Sequence, residues 1–412
     1  MPLYVAEPPP TTSPTPAEQG SAGPGSAGLR TVRIGFVGLS DCAPILVARA
    51  QGFDTRHGLR LLPQREPSWA GLRDGLLQGG LDAAHCLYGM PFGLHLGIGG
   101  PRHPMAILMG LSSNGQGIVF SQRLLDAGVV DGASLAAAIR AGNRPFTFAQ
   151  TFPTGTHAMW LSYWLASHGI DPGRDIRTTT VPPPQMVARL LDGSIDGCCV
   201  GEPWPAAAEV HGAGRTIVRS EAIWPNHPEK VLCARARLVR ETPDVARALI
   251  ATMLDACRHL DTPDGRREAA RLIAHPDYVD VPLSTLEPRF LAGLAGIDGP
   301  LAVDPDNGAG ESAADAPAAG LRFFDGGRVT YPWRSDGMWF LTQFARWGLL
   351  PEGTDIAATA AEVQQESLYR EAALLCGVAS PPDGLRDALL CDGQRWDPRD
   401  PAAYAEGFVI HA

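Results

Sequence analysis

Residues 149–172, AQTFPTGTHAMWLSYWLASHGIDP, constrain the fold more than any other stretch. A short β-prone run at 146–149 leads into Pro153, Thr154, Gly155 and Thr156, which read as a tight loop. From His157 onward the apolar residues Met159, Trp160, Tyr163, Trp164 and Leu165 recur at helical spacing. Gly169 ends that helix and Asp171-Pro172 blocks its continuation. The local prediction is therefore strand, Gly/Thr loop, helix. The first turn of such a helix carries unpaired N–H groups and the positive end of the macrodipole, which together suit a small anion. Thr154 and Thr156 add hydroxyls, and His157 adds a ring N–H. Taken alone, the stretch reads more readily as an ordinary helix cap beside a solvated histidine. The rest of the chain has to decide between the two.

With 412 residues there is material for two or three domains, and 45% hydrophobic with 19% charged residues is the balance of a soluble globular protein. A net charge of -10 and the lack of any basic run argue against direct nucleic-acid binding and against a basic membrane-facing surface. No apolar run is long enough to cross a bilayer. Residues 1–30 are rich in Pro, Thr, Ser, Gly and Ala, with no basic residue before Arg30 and no apolar core. They read as a disordered tail, not as a secretory or lipoprotein signal, and the expected location is the cytoplasm. The eight cysteines have mostly apolar neighbours and no zinc spacing, so buried reduced thiols are expected and no metal site. Of 34 basic residues a single one is lysine, Lys230. A compact ammonium at one position suggests a site that needs a point charge.

Residues 31–121 alternate strands and helices through short Gly/Pro loops, the rhythm of an α/β lobe with a largely parallel sheet. Residues 124–140 read as one helix. The α/β style repeats to 224, residues 220–232 run through a Pro/Asn loop into a strand with Lys230 at its start, and helices dominate from 243. Residues 299–320 read as a mobile loop, and 329–350 as a loop followed by an amphipathic helix. The expected architecture is an α/β clamshell of the periplasmic-binding-protein-like type II kind, with a ligand cleft between lobes. Residues 31–124 and 225–412 would form lobe I, and 125–224 lobe II.

Ligands in such folds sit at the carboxyl ends of strands. Four segments lie at strand ends or loop-to-element junctions and could face one cleft: EPSW with Trp69, NGQG with Gln116, TFPTGTH with Gly155, Thr156 and His157, and HPEK with Lys230. Trp69 offers an indole N–H, Gln116 two amide N–H bonds, His157 a ring N–H and Lys230 a full charge. Together they predict a donor-rich pocket of about one net positive charge, matched to a small oxyanion without protons. His157 is expected on an exposed helix start facing that cleft. Signatures of nucleophilic, zinc or nucleotide chemistry are missing. Glu202 has no evident acid/base partner, and His85-Cys86 and Cys198-Cys199 read as buried structure.

The segments SDCAP (40–44), REPSWAGLRD (65–74), LDAAH (81–85), TFPTGTHAMWLSYWLASHGIDP (151–172), CVGEPW (199–204), HPEKVL (227–232), MWFLTQFARWGLLP (338–351) and WDPRDPAAYAEGFVI (396–410) resemble the nitrate/bicarbonate-binding family of ABC-transporter solute receptors, the NrtA and CmpA type. They are also similar to its cytoplasmic offshoot, the NasS nitrate/nitrite sensor. The resemblance implies that Trp69, Gln116, Gly155, Thr156, His157 and Lys230 hold nitrate or nitrite without metal or other cofactor. Bicarbonate-binding members replace the His/Lys pair and use calcium. It further implies a sensor that sequesters an RNA-binding antiterminator of the NasT type and releases it when ligand binds, so controlling nitrate assimilation. Two alternatives stay open: the substrate-binding component of an ABC nitrate transporter, and an enzyme resembling the pyrimidine synthases of the same fold. Those synthases rely on a Cys-rich metal-binding run that Cys198-Cys199 is too short to supply.

Overall fold

Near-continuous apolar runs such as 83–87 and 231–234 fit strands covered on both faces, and so they prove. The computed structural model describes residues 28–142, 144–294 and 320–411. Residues 1–27 of the expected tail and 299–319 of the expected loop lie outside the described residues, and Arg30 already opens the first strand.

Strands β1 (Arg30–Val37), β2 (Leu59–Glu66), β3 (Ala83–Leu87), β4 (Met105–Ser113), β5 (Gln116–Ser121), β6 (Thr147–Gln150), β7 (Arg177–Thr180), β8 (Gly197–Gly201), β9 (Gly214–Arg219) and β10 (Pro228–Arg235) make two five-stranded sheets. The first has the order β2-β1-β3-β10-β4 and the second β7-β6-β8-β5-β9. β1 runs parallel to β2 and β3, while β10 is antiparallel to β3 and β4. In the second sheet β6 is parallel to β7 and β8, and β5 is antiparallel to β8 and β9. Each sheet thus holds one reversed strand, and each reversed strand is the one the chain enters on changing lobe. This is the two-lobe α/β clamshell that the sequence predicts.

The change of sheet does not fall at residue 124. β5 pairs with β8 and β9, so it belongs to lobe II, and the crossing lies at Asn114-Gly115. Both residues are left-handed (φ 62° and 86°), which ends β4 and redirects the chain. The return crossing uses Asn226 in the same way (φ 57°) just before β10. The helix expected over 124–140 is two helices, Gln122–Asp126 and Gly132–Arg140. Gly128 (φ 82°) breaks the first, and an Asp131/Ser134 capping box starts the second.

The helix Arg334–Arg346 is buried almost all round, not amphipathic. It runs along a seam of aromatic rings contributed by both lobes. Trp339 lies 4.8 Å from Trp160 and 5.2 Å from Trp224, and Phe340 stacks at 5.2 Å on Tyr88. Farther along the chain, Asp392 accepts from the Tyr163 hydroxyl at 2.9 Å. The C-terminal part therefore packs on both lobes. No helix among the described residues is long and apolar enough to cross a membrane. Six of the eight cysteines are buried, whereas Cys376 is half-buried and Cys391 exposed.

Candidate functional site

The Ser68 hydroxyl accepts from the Gly71 N–H at 3.1 Å and caps the helix Trp69–Gln78, which sets Trp69 in its first turn. Trp69 is fully buried, 5.6 Å from the His85 ring of β3, and its indole Nε1 has no hydrogen-bond partner. β10 supplies Glu229 and Lys230. Consecutive strand residues ordinarily face opposite ways, yet these two side chains touch. Register shifts around Lys230 mark a bulge in the pairing with β4, which is how a strand re-aims a side chain.

From the second lobe, Gln116 opens β5. Its Nε2 donates to the Thr156 hydroxyl at 3.2 Å, and its Oε1 accepts from the Cys199 thiol at 3.7 Å. Gly155 caps the helix Thr156–Ser167 in an extended conformation, with its N–H donated to Phe152 O at 2.9 Å. A Cβ here would sit 2.5 Å from Leu87 Cδ1 on β3, so glycine is what lets the lobes approach. Thr156 donates to Glu229 Oε1 at 3.0 Å, across the cleft. His157 bonds the Thr151 hydroxyl through Nδ1, and its Nε2 has no partner.

All six expected site residues therefore come together between the lobes. Two expectations about them are overturned. His157 is not exposed: it is completely buried, because β8 and residues after β1 close over it, with Gly201 and Leu39 in its neighbourhood. Nor does the pocket carry a free positive charge. Lys230 Nζ lies 2.7 Å from Asp41 Oδ2 and also contacts Glu229 Oε1. Adding up donors along the chain counted Lys230 and left out the carboxylates that fold onto it.

Asp41, His85, Glu229 and Thr151 were the residues missed. His85 Nε2 bonds Asp41 Oδ1 at 2.8 Å, so Asp41 joins His85 to Lys230. The available signal was charge inside apolar strands: His85 within AAHCL, Glu229 and Lys230 within PEKVLCA. Ionisable residues are seldom fully buried unless paired.

Burial would raise the Asp41 carboxyl, but Lys230 and His85 outweigh it and hold Asp41 well below the usual range. Burial would likewise lower Lys230, and the two carboxylates beside it raise it instead. For Glu229 burial wins over Lys230 and the carboxyl is raised. Burial, with Lys230 second, holds the His157 ring well below its ordinary value, so it stays neutral. Burial also pushes the Cys198 thiol up to about 12 and Cys199 upward, which leaves neither a ready nucleophile.

Glu202 helps hold the lobes together. Its carbonyl accepts from Ser40 N–H at 2.8 Å and its N–H donates to Gly115 O at 2.9 Å, while the Trp204 indole donates to Gly38 O at 3.1 Å. Burial pushes its carboxyl up to about 7. Outside the cleft, His57, Asp255 and Cys376 place one ligand atom each within 4.8 Å of one another. Arg56 at 3.1 Å and Arg258 at 3.9 Å already pair with Asp255, so this group reads as an ion-pair clamp.

A model of the NMT1-like family matches residues 25–274. The "Nitrate import ATP-binding protein NrtC" of Synechocystis sp. is 36% identical over 395 residues, which cover 94% of this chain and 57% of that protein. The chain thus spans little more than half of that relative's length. The "Nitrate/nitrite binding protein NrtA" of Synechocystis sp. is 34% identical over 396 residues, 93% of this chain and 85% of that one. The "Bicarbonate-binding protein CmpA" of Synechococcus sp. is 31% identical over 415 residues, 95% of this chain and 89% of that one. Among solved structures, the periplasmic nitrate-binding protein NrtA from Synechocystis superposes with a TM-score of 0.82 at 33% identity, covering 93% of this chain and 99% of that one.

Proposed function

The chain belongs to the NMT1-like family, among its nitrate- and bicarbonate-binding receptors, and from that premise we propose that it binds nitrate or nitrite in the cleft between its lobes. The observation that carries this reading is a pair of buried, unpartnered nitrogens from opposite lobes, Trp69 Nε1 and His157 Nε2, beside Lys230. A buried donor without a partner costs free energy that a ligand can return. In the tautomer where the Thr151 hydroxyl donates to Nδ1, the ring proton of His157 is on Nε2 and is available to the anion. Nitrate has acceptors on every side and no proton, which suits N–H donors arranged around it. First-turn N–H groups at Thr156 and His157 extend the same set. Calorimetry with nitrate, nitrite, bicarbonate and sulfate tests this. Saturable binding, tighter for nitrate or nitrite than for bicarbonate or sulfate, is expected; exclusive bicarbonate binding would overturn it.

No catalytic role is assigned. The downstream role we propose is that of a cytoplasmic sensor that holds an antiterminator-type regulator and releases it on ligand binding. A net charge of -10 favours a protein partner over direct contact with RNA. Nitrate import is the competing reading, because the relatives are named as import and binding components. Cell fractionation, with co-purification of an antiterminator-type protein with and without millimolar nitrate, separates them. A complex indifferent to nitrate, or none, would leave transport.

A further inference from the structure

Three residues beside Lys230 carry buried polar atoms without partners: Trp69 Nε1, His157 Nε2 and Glu229 Oε2. The first two can donate to an anion. The third is a carboxylate oxygen, and a carboxylate facing a bound monoanion is repulsive at low dielectric. Lys230 does not remove the conflict, because Asp41 at 2.7 Å already balances its charge.

We propose that Glu229 is a specificity-determining residue of the cleft, binding nitrate as a carboxylic acid that donates from Oε2 and binding a hydroxyl-bearing anion such as bicarbonate as a carboxylate that accepts. This rests on the anion-binding reading above. The proton comes from solvent and stays on Glu229, and no bond of the ligand changes. Glu229 Oε1 is fully used, by Lys230 and by the Thr156 hydroxyl at 3.0 Å, so Oε2 is the free oxygen and takes the proton. Nitrate offers only acceptors and selects the acid form. Bicarbonate brings its own O–H and selects the ionised form. One side chain thus discriminates between two planar anions of similar size by their proton count.

The groups facing Glu229 leave it as the titrating member. Lys230 adjoins it on β10 and is raised, and Asp41 after β1 is lowered. His227 Nδ1, 3.9 Å from Oε2, is held down to about 3 by burial. His157 on the helix Thr156–Ser167 and His85 on β3 are both lowered by burial, and Cys199 on β8 is raised by burial. Gln116 and Thr156 do not titrate.

Calorimetric titration of the full chain with nitrate, between pH 6 and 9 in buffers of different ionisation enthalpy, reads the protons taken up. Uptake is expected to approach one per nitrate at the alkaline end, where affinity should weaken by up to tenfold per pH unit. Glu229→Gln keeps Oε1 and places an N–H donor where Oε2 stood. It should bind nitrate with no pH dependence and no proton uptake. Nitrate binding to the wild type with a flat pH profile and no uptake would overturn this inference and leave the anion reading intact. No nitrate binding at any pH would overturn both.

Discussion

The Thr156 hydroxyl donates to Glu229 Oε1 at 3.0 Å, joining the first turn of a lobe II helix to a buried strand of lobe I. Gln116 Nε2 donates to the same hydroxyl at 3.2 Å, so this one oxygen links β5, the helix Thr156–Ser167 and β10. Thr156→Val keeps the shape and removes the hydroxyl. It leaves the Gln116 amide without an acceptor and costs about 1–3 kcal/mol in the closed arrangement. A ligand shifts a conformational equilibrium only by its differential affinity for the two states. Nitrate affinity should therefore fall roughly 5- to 100-fold, with a larger radius of gyration in small-angle scattering of the nitrate-bound protein. Unchanged affinity would show that this bond does not support closure.

Lys230→Ala should damage the fold as well as the site. Asp41 and Glu229 would face each other in a buried space with no cation between them. Removing one partner of a buried pair typically costs about 3–5 kcal/mol. Asp41→Asn applied to the same variant should recover part of the loss, since it removes one of the stranded charges. Chemical denaturation of wild type, single and double variants gives the coupling. Additive losses in the double variant would mean that Asp41 and Lys230 act independently.

Gly155→Ala should impair closure without unfolding either lobe. Its new methyl would stand 2.5 Å from Leu87 Cδ1, on the opposite lobe. The backbone at Gly155 is extended, so alanine meets no conformational strain there. The expected result is weaker nitrate binding with a near wild-type melting temperature. A sharp drop in melting temperature with intact binding would make the glycine a folding requirement.

Much of this was legible in the chain. Strand, Gly/Thr loop and helix at 146–167 follow from helical spacing after a cap, and they fold as read. The convergence of Trp69, Gln116, His157 and Lys230 follows from their places at strand ends. Net charge in the cleft was not legible, because it depends on which carboxylates fold onto Lys230. Asp41 lies 189 positions away in a turn, and nothing local announces that pairing. The lobe boundary was hidden for a different reason. An Asn-Gly turn between two apolar strands looks the same whether the second strand pairs back or enters another sheet. The helix Arg334–Arg346 carries polar residues at a helical period, yet aromatic rings of both lobes cover it.

Between about pH 7 and 8 stability should fall as pH rises; below that window the buried histidines His85, His95, His157 and His227, held below their ordinary values by burial, act in the opposite sense. Burial pushes the Glu202 and Glu221 carboxyls up to about 7, and it also raises Glu229, Asp261 and Asp336. In this window the native state holds protons that the unfolded chain has already released. Stability changes with pH in proportion to protons bound unfolded minus protons bound native. That difference is negative here, so the contribution of each raised carboxyl is present below its unfolded value and lost as pH climbs through the native one. Asp41 has the opposite sign, because its native value is lowered, and its contribution is lost only as pH falls below the ordinary carboxylate range. It does not offset the alkaline loss. For Glu202 the effect has a ceiling of roughly 3 kcal/mol. Its carboxyl has Arg219 at 3.7 Å, and its Oε2 has no hydrogen-bond partner. Glu202→Gln should accordingly flatten part of the profile and stabilise the protein at pH 8 relative to wild type. Melting curves of both proteins at pH 7, 7.5 and 8, at constant ionic strength and without anion ligand, test this. A melting temperature that rises with pH, or a Gln variant that follows the wild-type slope, would remove Glu202 from the account.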